Sequence, residues 1–128
     1  MEGCKTPQAG SSMSTQFSSA FVDLSLDCRP DLFLETATSD GKRVAEIYYY
    51  VGGTSPFCLV DSNEVPANFG HVSFTDSTDK GTIDAIMMDE DLNVKVFRNK
   101  ASLDIDSLCK ARGVQTLPFE PFTSATMN

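Results

Sequence analysis

The sequence predicts a mainly β domain of α+β class, an antiparallel meander of seven strands forming a barrel or sandwich, with one C-terminal α-helix. Three observations predict it. Apolar and polar residues alternate with period two in several short segments, the signature of half-buried strands. Turn-forming residues such as Asp40-Gly41 separate those segments at short intervals. Only residues 102–112 combine helical periodicity with capping signals at both ends.

A chain of 128 residues fits one domain and can bury a core without a metal or disulfide staple. Its 41% apolar and 22% charged residues are those of a globular protein, so it is expected to fold. Residues 1–16, rich in Gly, Ser, Thr and Gln, read as a flexible tail, residues 17–114 as the globular domain, and residues 115–128 as a tail containing Pro and Phe.

Taken in order, residues 20–28 place Val22, Leu24, Leu26 and Cys28 on one face against Asp23, Ser25 and Asp27, which predicts a first strand. After Arg29-Pro30 a second runs through "DLFLETAT" to the Asp40-Gly41 hairpin. The third spans residues 43–51 and holds all three tyrosines. Ala45, Ile47, Tyr49 and Val51 share its core face, which turns Glu46, Tyr48 and Tyr50 the other way. "PFCLVD" opens with proline and suits an edge or the start of a strand, followed by a polar loop over residues 62–70. "HVSFTD", "TIDAIMM" and "VKVFRN" complete the seven, joined by the turns "STDKG" and "DEDLN". The helix has Ser102 as N-cap, Ile105, Leu108 and Cys109 on one face, basic Lys110 and Arg112 late, and Gly113 at the stop.

Eighteen acidic against ten basic side chains give a net charge of -8, which disfavours nucleic acid and anionic membrane and matches a basic or mixed apolar protein partner. The N-terminus has no apolar targeting core and no stretch is long enough to span a membrane as a helix, so an intracellular, cytoplasmic protein is expected. Cys4, Cys28, Cys58 and Cys109 show no paired spacing and are expected as free thiols. No cofactor is expected. Scattered thiols and one histidine do not make a zinc site, and "DSTDKGTIDAIM" fails as a calcium loop because Lys80 and Met87 fall on ligand positions. His71 has no nucleophile or second acid assigned to it by spacing, and "VGGTSP" lacks the lysine of a phosphate loop. A non-catalytic reading follows.

The candidate partner surface is therefore aromatic and acidic. It comprises Tyr48, Tyr50 and Glu46 on the outer face of the third strand, Asp89, Glu90 and Asp91 in the last turn, and Phe119 and Phe122 in "LPFEPF". Covering of the tyrosines by the chain itself, and folding back of that tail, are the bland alternatives. The expected function is a protein-binding module of inhibitor, adaptor, chaperone or viral effector type. A homo-oligomer subunit is the alternative, and a small-ligand barrel or enzyme with a pocket near His71 ranks lower.

Overall fold

A computed structural model of the chain describes residues 4–5, 12–13, 19–101 and 118–119. Among these residues eight strands form two antiparallel sheets: β1 (Ser12–Met13), β2 (Ala20–Val22), β3 (Asp31–Ala37), β4 (Arg43–Tyr50) and β5 (Phe57–Val65) in one, β6 (Ser73–Thr75), β7 (Asp84–Met88) and β8 (Val94–Phe97) in the other. The first sheet has the order β1-β3-β4-β5, with β2 beside β1 on the same edge of β3. Sequential pairing of β3, β4 and β5, and of β6, β7 and β8, is the expected meander, interrupted between the sheets. The barrel is not closed, and among the described residues there is no helix.

The turn between β3 and β4 follows from its sequence. Gly41 adopts φ +84°, a backbone state that costs a Cβ-bearing residue strain. The N–H of Thr38 donates to the carbonyl of Lys42, and the N–H of Gly41 donates to that of Thr38. Alternation then fixes the faces: Phe33, Ala45, Ile47, Tyr49, Cys58 and Val60 point to the core and meet Ala85, Met87 and Phe97 of the second sheet. The Phe33 and Phe74 rings cross edge-on between the sheets at 5.1 Å. Between Ile47 and Tyr48 the register to β5 shifts, Ile47 opposing Asp61 and Tyr48 opposing Leu59, so Val60 is one residue more than the ladder uses.

Several expectations change. The first strand ends at Val22, and residues 23–28 form a loop in which Leu26 and Cys28 have positive φ. Their alternation is real, but both faces are covered: Leu24, Ser25, Leu26 and Asp27 are all buried. β5 runs from Phe57 to Val65 and so enters the beginning of the stretch expected as a polar loop; it lies at a sheet edge, one of the two placements expected for "PFCLVD", where polar side chains are tolerated. The thiols are not free. Cys4 is bonded to Cys58 across 54 residues, and Cys28 is also disulfide-bonded. Spacing does not encode pairing when the partners come from different elements. Within the N-terminal segment read as a tail, the Lys5 N–H donates to Leu59 of β5, and Ser12 and Met13 pair with Ala37 and Thr36. The helix expected over residues 102–112 lies outside the described residues.

Candidate functional site

The tyrosine run divides as its period requires. Tyr49 is buried, while Tyr48 and Tyr50 are half-buried on the opposite face of β4. Antiparallel register places Leu32 and Leu59 beside Tyr48, Phe57 beside Tyr50, and Phe21 of β2 beside Leu32. The outer face of the first sheet is thus apolar across four strands.

Its exposed end is a chain of aromatic contacts. Phe21, 67% exposed, lies 6.1 Å from the Phe57 ring, and Phe57 meets Tyr50 edge-on at 5.5 Å. The Arg29 guanidinium sits 5.9 Å over the Tyr50 ring, within cation–π range. The sequence reading selected Tyr50 but missed Phe21, Phe57 and Arg29. A signal existed for Phe21, which falls on the solvent side of the alternation that turns Val22 and Leu24 toward the core.

The remaining predicted residues are placed differently. Glu46 is buried and accepts a 3.5 Å hydrogen bond from the Tyr48 hydroxyl; burial, then the Glu46 charge, pushes the Tyr48 phenol above its ordinary value. Asp89 turns into its own loop, where its carboxylate accepts the N–H groups of Asp91 and Asn93. Those donors, Asn93 first, hold it below the usual carboxylate range. Glu90 and Asp91 are exposed on the second sheet, remote in topology from the tyrosines. Phe119 is buried in the core, with Pro118 accepting from the Lys100 N–H, so this part of the tail folds back and Phe119 is removed from the candidate surface. Phe122 lies outside the described residues.

The loop at residues 23–30 borders the aromatic end and is held by hydrogen bonds within itself, to Asp31 and from Asn99. Asp31, fully buried at the start of β3, takes the N–H groups of Leu24 and Ser25 on one oxygen and that of Tyr50 on the other. Burial pushes its carboxyl up to about 6, against the pull of the Tyr50 and Ser25 donors, and Asp27 adds to the rise. Just beyond β8, Asn99 donates through Nδ2 to the carbonyls of Leu24 and Ile83. At the other end of the sheet, Arg43 bonds Glu35 at 2.7 Å and also donates to the carbonyls of Phe69 and Gly70.

A cleft of about 410 Å³ is lined by Thr78, Lys80, Thr82, Asp84, Arg98 and Asn99. No helix among the described residues is long and apolar enough to cross a membrane. Comparison with models of protein families, with curated proteins and with solved structures finds no match to this chain.

Proposed function

We propose that the chain is a non-catalytic protein-binding module that engages a partner of mixed apolar and basic surface through Phe21, Tyr50, Phe57 and Arg29. The observation that carries the reading is Phe21: a phenylalanine 67% exposed on a strand, in ring contact with Phe57, which in turn meets Tyr50. Large aromatic side chains backed by a half-buried apolar face are the commonest anchors of protein interfaces, and arginine is the cation most enriched there. The net charge of -8 favours approach by a basic partner. The Cys4–Cys58 bond supports work in an oxidising compartment in place of the intracellular setting expected from the sequence.

A photo-crosslinking residue at position 21, introduced in the producing cell, tests this. The expected result is one dominant foreign adduct, weakened about 30-fold or more by Tyr50→Ala, the effect of losing an interface anchor. A crosslinker at Asp40, in the exposed hairpin turn, supplies the background. Adducts no stronger at 21 than at 40 would sink the proposal, and adducts only to a second copy of the chain would replace it with self-assembly.

A further inference from the structure

From the connection after β2 to the first residue of β3, an aspartate recurs at every fourth position: Asp23, Asp27 and Asp31. One carboxylate oxygen from each lies within 4.8 Å of the others. Asp27 and Asp31 are buried, and among the described residues no ion pair reaches any of the three. Three carboxylates gathered this closely repel one another, and the repulsion grows as water is removed. Within the same loop is the hydroxyl of Ser25, 2% exposed. It has no hydrogen-bond partner among the described residues, and the backbone N–H of the same residue donates to Asp31 Oδ2 at 3.0 Å. A buried hydroxyl left unpartnered beside such a group costs free energy that a ligand would return.

We propose that Asp23, Asp27, Asp31 and Ser25 Oγ form a divalent-cation site, selective for calcium. All four donors are hard oxygens with neither nitrogen nor sulfur among them, the set that suits calcium and magnesium and not zinc or copper. Calcium fits better because the donors are already committed to the backbone. Asp23 accepts the N–H groups of Asp27 and Cys28, Asp27 accepts that of Arg29, and Asp31 accepts three. Asp31 Oδ2 already takes two N–H groups, but Asp31 Oδ1 and the oxygens of Asp23 and Asp27 keep lone-pair capacity for a metal, while carboxylates so committed cannot rearrange into the strict octahedron that magnesium demands. The inference does not depend on the partner-binding reading, although the site abuts Arg29 and, through Asp31, the backbone of Tyr50.

The test is calorimetric titration of the oxidised, chelator-treated chain with calcium and separately with magnesium, alongside thermal melting. A saturable calcium isotherm is expected, with a dissociation constant on the order of 10⁻⁴ to 10⁻³ M, typical of extracellular calcium modules, and a rise in melting temperature. Magnesium should bind more weakly. Asp27→Asn should weaken calcium about tenfold or more, and Ser25→Ala should weaken it measurably while leaving the circular dichroism spectrum unchanged. No calcium isotherm and no thermal shift up to about 10 mM would overturn the site. So would binding that both variants leave intact. If Asp27→Asn fails to fold, the wild-type titration and Ser25→Ala still decide.

Discussion

Glu35 is the residue whose environment departs furthest from what its letter suggests. It lies on the core face of β3 with no solvent exposure, one oxygen bonded to Arg43 and the other unpartnered. Burial raises its carboxyl above the ordinary 4.5, even though the hydrogen bond and charge of Arg43 pull it down. The folded state therefore holds this proton more readily than the unfolded chain, and loses stability as pH rises from the ordinary value through the raised one. Glu35→Gln removes the titration. The melting temperature of wild type relative to the variant should fall across that window, and a constant difference between about pH 4 and pH 7 would contradict this. Residue positions were legible in the sequence wherever period two alone decides them. Tyr49 inside, with Tyr48 and Tyr50 opposite, is the clearest case. Glu35 and Glu46 were not legible, because a carboxylate on a strand is read as solvated unless its buried partner can be named.

At the scale of elements, the Cys4–Cys58 bond ties the start of the chain to an edge strand. Closing a loop of 54 residues removes conformational freedom from the unfolded state worth about 4 kcal/mol in the chain-entropy account. Cys4→Ala with Cys58→Ala should lower the unfolding free energy by that order in urea titration. A loss under about 1 kcal/mol would mean that β5 holds its place without the staple. The hairpin at Asp40-Gly41 and the extents of β3, β4 and β7 were legible, since turn chemistry and alternation agree there. The loop at residues 23–30 was not. Its letters alternate like a strand, but Asp23 and Asp31 draw its N–H groups away from any ladder, and side-chain acceptors of this kind leave no periodic trace.

For the whole molecule, the question is whether two sheets behave as one body. Sheet membership was not legible, because nothing in an alternating segment states which segment it faces. Asn99 answers physically: its side chain reaches Leu24 beside the first sheet and Ile83 beside β7, and accepts the N–H of Ala101. Asn99→Ala should leave two carbonyls without their donor and cost about 1 to 3 kcal/mol for each one kept from water. Unfolding in denaturant should shift its midpoint with its slope unchanged, as for a single cooperative transition. Two separated transitions would show that the sheets come apart independently. The acidic turns at residues 76–83 and 89–93 fall at opposite ends of the second sheet, as alternating antiparallel strands require, so the negative charge is spread and not focused.

The extra residue in β5 gives the chain a place where its length can change. Leu59 and Asp61 already stand in phase with Tyr48 and Ile47 on either side of Val60. Evolution or an engineer could therefore delete Val60 and lose one buried side chain, with every other residue of β5 still facing the side it faces now. A deletion outside the Val60-Asp61 pair would carry one flank out of phase, as when loss of a residue before it turns Leu59 or Cys58 to the wrong side of the sheet. Homologues that differ in length within β5 would be expected to differ at this position.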